Sequence, residues 1–258
     1  MKIFIVNAFT QTRFGGNPAV IVPLVEWLPD ELMQAMASQH NLSETAYTIP
    51  QENGYAIRWF TPTVEVNLCG HATLAAAHVY FNHLGHSEGR IRFHSKSGPL
   101  NVMKRMDGKI TLDFPANDPV EITGLPAIEQ GLKVKPLAFY QSSFDYMAVL
   151  ENQREVENLS PDFNLLSQVP GRGVIATAQG EDVDFVSRCF YPQSGIDEDP
   201  VTGSAHTVMV PFWAKKFGKK KLSAIQLSKR KGWLDCEWME ERVFMSGNAV
   251  TYMEGNIF

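Results

Sequence analysis

Apolar residues along most of the chain alternate with polar ones in short runs, the pattern of strands. β-branched and aromatic runs at residues 2–9 and 18–25 predict two strands, separated by Gly15-Gly16-Asn17 turn chemistry. Residues 30–39 predict a short helix. Pro29 and Asp30 are its start signals, and Leu32, Met33, Ala35 and Met36 form its apolar face. Residues 43–49 and 55–61 predict a strand pair. Residues 90–94, 100–106 and 109–114 predict a meander whose last turn is Asp107-Gly108. Residues 71–84 break the alternation. Ala72, Leu74, Ala75, Ala76, Val79, Tyr80 and Phe81 make this stretch apolar almost all round, which predicts a buried helix. It is too short to span a membrane.

The second half repeats this plan. Arg58-Trp59-Phe60-Thr61-Pro62 is echoed by Arg188-Cys189-Phe190-Tyr191-Pro192, and Cys69-Gly70-His71-Ala72 by Thr202-Gly203-Ser204-Ala205. An apolar helical stretch follows each Gly-led start. The offset is 130 at Phe60/Phe190 and 133 at Gly70/Gly203, too long for a solenoid repeat. A duplicated domain is expected: an α+β fold of two similar domains, each a mainly antiparallel sheet or barrel wrapped on a central helix. The Pro115–Pro119 stretch is the best linker, which puts the domains at residues 1–117 and 118–258.

Composition narrows the partners. Lys plus Arg is 23 against 28 Asp plus Glu, a net charge of −5. A nucleic-acid backbone is therefore not expected as the main partner. No apolar run is long enough for a membrane span, and residues 1–14 do not read as a signal peptide. Cys69, Cys189 and Cys236 are isolated, without CxxC spacing, so neither a disulfide framework nor a cysteine-rich zinc site is expected. A reduced, cytoplasmic protein is the expectation.

The candidate chemistry lies at the two helix starts. A helix N-terminus carries free N–H groups and a partial positive charge, and glycine lets a ligand approach. Gly70 and Gly203, with the Ser204 hydroxyl, could bind a carboxylate; ordinary capping by Thr202 or Ser204 is the plainer alternative. His71 could donate to a substrate oxygen or move a proton, and the helix terminus would lower its pKa. His78 reads as a satisfied core histidine or an interdomain contact. Asp199, nearest the Gly203 loop among Asp197-Glu198-Asp199, could orient a base or donate a proton, or simply favour the helix dipole. Glu44, the one charge between His40 and Glu52, is either a surface residue or, if it points into a cleft, a general base. Nothing in the sequence suggests a metal, nicotinamide, flavin or pyridoxal phosphate, and no cofactor is expected.

Five motifs in order resemble the PhzF-like family of phenazine biosynthesis. They are Phe14-Gly15-Gly16-Asn17-Pro18-Ala19-Val20, Asn41-Leu42-Ser43-Glu44-Thr45, Arg58-Trp59-Phe60-Thr61-Pro62, Cys69-Gly70-His71-Ala72-Thr73, and Asp199 through His206. The resemblance implies a fold similar to diaminopimelate epimerase, with the active site between two alike domains. It implies that Glu44 shuttles a proton, that His71 and Asp199 support it, and that Asn17, Gly70, Thr202, Gly203 and Ser204 line the substrate. It also implies a homodimer. Diaminopimelate epimerase uses two cysteines, one before each helix-start glycine. Here Cys69 precedes Gly70 but Thr202 precedes Gly203, which disfavours a two-thiol racemase, since a hydroxyl cannot replace a thiolate near neutral pH.

The expected function is cofactor-independent isomerisation of a small, possibly cyclic, carboxylate by proton abstraction and return at carbon. An amino-acid racemase or epimerase using Cys69 and a non-catalytic small-molecule-binding protein are the alternatives.

Overall fold

The computed structural model describes residues 1–258. The chain forms two compact units, Met1–Asp113 with Ser246–Phe258, and Phe114–Met245. This differs from the expected division at 117/118 with a second domain running to 258. The end of the chain belongs to the first unit because its last strand, Ala249–Asn256, pairs antiparallel with the first, Lys2 opposite Asn256 and Ala8 opposite Ala249. A pairing between strands so distant in sequence leaves no local composition signal.

The first unit begins with β1 (Lys2–Ala8), β2 (Asn17–Pro23), α1 (Asp30–His40), β3 (Glu44–Gln51) and β4 (Gly54–Phe60). The short β5 (Glu65–Val66), α2 (Gly70–Asn82), β6 (Arg90–Ser95), β7 (Gly98–Lys104) and β8 (Ile110–Pro115) follow. The ladder runs β1–β2–β3–β4–β6–β7–β8, with β5 also against β4. The pairs β2–β3 and β4–β6 are parallel and the rest antiparallel. The parallel pairs are those whose connections carry α1 and α2, since a parallel return needs a crossover.

Strand alternation decides what each face meets. On β2 and β3, Val20, Val22 and Tyr47 pack with Met33 and Ala37 of α1. The Tyr47 hydroxyl donates to the Met33 carbonyl at 2.7 Å. The opposite parity faces α2, which packs against β1, β2 and β3. There the hydroxyls of Thr48 and Tyr80 are 2.8 Å apart. Asn17, Ala19 and Ile21 on β2, and Glu44, Ala46 and Thr48 on β3, share this parity. With sheet around it, α2 is buried from Gly70 through Ala77, which is why its sequence lacks a polar face.

The second unit contains β9 (Val120–Ile122), α3 (Pro126–Leu132), β10 (Ala138–Gln141), β11 (Asp145–Val149), α4 (Gln153–Glu157) and α5 (Phe163–Leu166). It continues with β12 (Gly173–Gln179), β13 (Phe185–Tyr191), β14 (Ile196–Asp199), α6 (Gly203–Phe217), β15 (Lys221–Gln226) and β16 (Gly232–Met239). Its ladder, β10–β11–β12–β13–β15–β16 with β14 against β13, repeats β1–β2–β3–β4–β6–β7 with β5 against β4. The parallel pairs fall at the same places, β11–β12 and β13–β15. The chain is a duplication, as the repeated motifs predict. Val174, Ala176 and Ala178 pack outward with Ile128, Leu132, Val156 and Leu166 of α3–α5. Thr177 faces the other way and accepts from Trp213 Nε1 of α6 at 3.0 Å.

One anchor recurs in both copies. Arg58 of β4 grips Glu65 with Nε and Nη2, both at 2.8 Å, and lies over the Phe60 ring. Arg188 of β13 grips Glu198 at 2.7 and 2.9 Å and lies over Phe190. The helix α6 carries Pro211, which removes the N–H that would bond the Thr207 carbonyl. The Asn117 backbone N–H takes that place at 3.0 Å.

Candidate active site

Three elements of the first unit bring four of the motif residues together. Glu44 opens β3, Asn17 opens β2, and Cys69 and His71 flank Gly70 at the start of α2. Each strand position has the parity that faces α2. Gly16 delivers Asn17 through a turn at φ +64°, where a Cβ would stand 2.1 Å from the Ala8 carbonyl oxygen. His71 Nε2 lies 3.0 Å from Glu44 Oε2. His71 Nδ1 lies 3.1 Å from the Asn17 amide nitrogen and 3.5 Å from Cys69 Sγ. Asn17, Cys69 and His71 are buried, while Glu44 keeps partial exposure.

The charges follow from these contacts. Burial opposes a charge on His71; the Cys69 sulfur and the Glu44 carboxylate favour it, and the balance lifts the imidazole well above its ordinary 6.5. The helix start alone would lower it, as the sequence reading expects. The Cys69 sulfur 3.5 Å away and the Glu44 carboxylate 3.0 Å away reverse the direction. Burial, reinforced by the nearby Glu44 charge, pushes the Cys69 thiol up to about 11. Cys69 is therefore a thiol near neutral pH, not a thiolate base. The ligand-type atoms of Glu44, Cys69 and His71 lie within 4.8 Å of one another. Glu44 and Cys69 nevertheless address opposite nitrogens of the His71 ring, an arrangement that suits a proton relay better than one shared ion.

In the second unit the motif residues gather at the start of α6. The Thr202 hydroxyl donates to Asp199 Oδ2 at 2.5 Å. Gln226 accepts from the Thr202 N–H at 2.8 Å and donates to the Asp199 carbonyl at 2.7 Å. Gln226 is a support the sequence reading misses; it lies on β15, with no motif around it. Gly203 and Ser204 open the helix. Capping by Thr202 does not occur, because its hydroxyl is turned to Asp199, and Cys69 likewise makes no side-chain cap on α2. His206 donates from Nδ1 to the Thr202 carbonyl at 2.8 Å, and burial holds its pKa down to about 4.

His78 Nε2 bonds the Thr251 hydroxyl at 2.9 Å. Cys69, Cys189 and Cys236 are free, buried thiols. No helix is long and apolar enough to cross a membrane.

Comparison with known proteins identifies the chain's family. Residues 6–255 match the PhzC–PhzF family model, described as phenazine biosynthesis-like protein. An uncharacterised isomerase of Pseudomonas aeruginosa is 48% identical over 252 residues, covering 98% of this chain and 96% of the relative. The crystal structure of a PhzF-family protein from Enterococcus faecalis superposes with a TM-score of 0.97 at 44% identity, covering 100% of this chain and 98% of that one. A hydroxyproline epimerase from Agrobacterium vitis shares the fold alone, with a TM-score of 0.62 at 10% identity over 99% of this chain and 91% of that one. A family match over nearly the whole chain, isomerase relatives of full length and a duplicated epimerase-like fold converge: this chain belongs to the phenazine biosynthesis-like, PhzF, family of isomerases.

Proposed function

We propose that the protein isomerises a small carboxylate by removing a proton from carbon and returning it elsewhere on the same molecule, without a cofactor. The observation that carries this reading is the pairing of Glu44 with His71 at 3.0 Å beside a helix start with no side-chain cap from Cys69. Glu44 is the general acid/base, and it is the partly exposed member of the cluster. His71 holds the carboxylate and polarises the substrate. The N–H groups at Gly70 stabilise negative charge developing on the substrate. Asp199 supports proton transfer, and Thr202, Gly203 and Ser204 hold the substrate carboxylate; these roles rest on the motif resemblance and on the second helix start being uncapped by Thr202.

A racemase working through Cys69 is the weaker reading, because a thiol pushed up to about 11 is a poor base near neutral pH. The test is proton NMR in D2O with a panel of cyclic hydroxy- and amino-carboxylates and chiral amino acids. Isomerisation or deuterium uptake by the wild type and not by Glu44→Gln supports the proposal. Uptake by both proteins moves the base away from Glu44.

A further inference from the structure

The resemblance assigns Asn17 to the substrate, but the structure turns its amide toward His71. The amide nitrogen lies 3.1 Å from His71 Nδ1, and Asn17 is fully buried. The other neighbour of Nδ1 is Cys69 Sγ at 3.5 Å. An amide NH2 can only donate. The Asn17 amide therefore presents a hydrogen to Nδ1, which makes it the acceptor of the neutral ring. The single ring proton then belongs on Nε2, the nitrogen 3.0 Å from Glu44.

We infer that Asn17 is a positioning residue whose amide sets the neutral His71 ring in the tautomer with its proton on Nε2, facing Glu44. The groups facing His71 from the surrounding elements are Glu44 on β3, Asn17 on β2 and Cys69 before α2. Of these, Cys69 and Glu44 favour the charged ring, and Asn17 acts against it by stabilising the neutral one. A histidine balanced in this way keeps a donor aimed at the carboxylate in both protonation states. Its exchangeable site is Nδ1, away from Glu44. Asn17 thus acts through His71 rather than on the substrate. The inference rests on reading Glu44 and His71 as the proton-handling pair, yet its test needs no turnover.

The experiment is 15N NMR of the full-length protein labelled at histidine, with His71→Asn identifying the His71 signals among the 7 histidines. Over a pH titration, Nε2 is expected to remain protonated while Nδ1 loses its proton. In Asn17→Asp, a carboxylate replaces the amide, and the doubly protonated ring is expected to persist to higher pH. A neutral wild-type ring with its proton on Nδ1 overturns the inference. So does a ring that stays doubly protonated throughout the range in which the fold survives, or an Asn17→Asp titration identical to wild type. If Asn17→Asp does not fold, the wild-type tautomer alone decides. Because none of these outcomes involves substrate, a failed tautomer assignment is separable from a failed assignment of Glu44 as base.

Discussion

Gly173 holds in the second unit the place that Glu44 holds in the first. Glu44 pairs with Ala19 on the parallel neighbour, one residue before Thr45 opposite Phe60. Gly173 pairs with Asp145, one residue before Val174 opposite Phe190. The duplicated positions therefore carry a carboxylate on β3 and a glycine on β12. The nearby acid, Asp145, is committed to an ion pair with Arg172, whose guanidinium lies 5.2 Å from the Tyr191 ring centroid. At this position the first copy presents a carboxylate paired with a histidine, whereas the second copy has a glycine beside an acid held by an arginine.

Glu44→Gln should lower turnover by about 10²–10⁴-fold, the usual contribution of one general acid/base. The fold should survive, since Gln keeps the shape and the partly exposed site tolerates a neutral amide. Steady-state rates and thermal midpoints of the two proteins, taken together, test this. A large drop in midpoint would make Glu44 a structural residue instead.

Gly173→Ala should destabilise the second unit by about 1–3 kcal/mol, the range for overpacking a close-packed site. A Cβ there would stand 2.2 Å from Tyr191 Cδ1 and 2.4 Å from the Phe190 carbonyl oxygen. Backbone cannot yield as a flexible side chain can. Urea denaturation measures the loss; an unchanged midpoint would mean that β12 shifts without penalty.

Acid acts on two buried histidines in opposite senses. His206 has a folded pKa of about 4 against an ordinary 6.5, because burial excludes the charge. Between those values the unfolded chain binds a proton that the native state refuses. Stability is complete above 6.5 and falls by about 3 kcal/mol as the pH drops through 4. His71, raised by its neighbours, contributes stability below 6.5 that is lost as the pH climbs through its elevated value. His206→Asn should flatten the acid limb of the stability–pH curve, and His71→Gln should flatten the alkaline limb.

Arg188→Ala should cost about 3–5 kcal/mol, as expected when one partner of a largely buried ion pair is removed. Beyond Glu198, Arg188 Nη1 donates to the Leu159 carbonyl at 2.7 Å, so the change strands acceptors on β14 and in the α4–α5 connection. Arg58→Ala, its counterpart, should act on the first unit in the same direction. Chemical denaturation of both variants checks whether the repeated anchor bears equal weight in the two copies.

None of the three cysteines should react with iodoacetamide in the native protein near neutral pH. All are buried, and burial raises every one of the thiols. Denaturant should release three modifiable thiols, counted by mass spectrometry. Rapid native labelling of Cys69 would revive a thiol-based mechanism.

Much of this was legible along the chain because it is local. The all-apolar stretch at residues 71–84 becomes α2, and the Asp107-Gly108 turn joins β7 to β8. The duplication was visible because Arg58 and Arg188 need the same neighbours. What escaped was set by distant pairing. The last strand's place beside β1, the role of Gln226 under Thr202, and the pairing of Glu44 with His71 all join residues more than 20 apart in sequence. The parity of Glu44 left no alternation in the sequence, because Thr45 through Thr48 are all buried. Deciding which parity faced the helix required the fold.

The pairing of β1 with Ala249–Asn256 also sets a timetable for synthesis. Residues 2–8 leave the ribosome early, but the strand that completes their unit is made only after the whole second unit. The second unit can fold from a continuous segment while the first still waits with one strand edge open. At ribosomal speeds of about 5–20 residues per second, that wait lasts on the order of ten seconds or more. Nascent chains stalled before residue 249 should therefore expose β1 to chaperones and proteases, even though it is the first strand made.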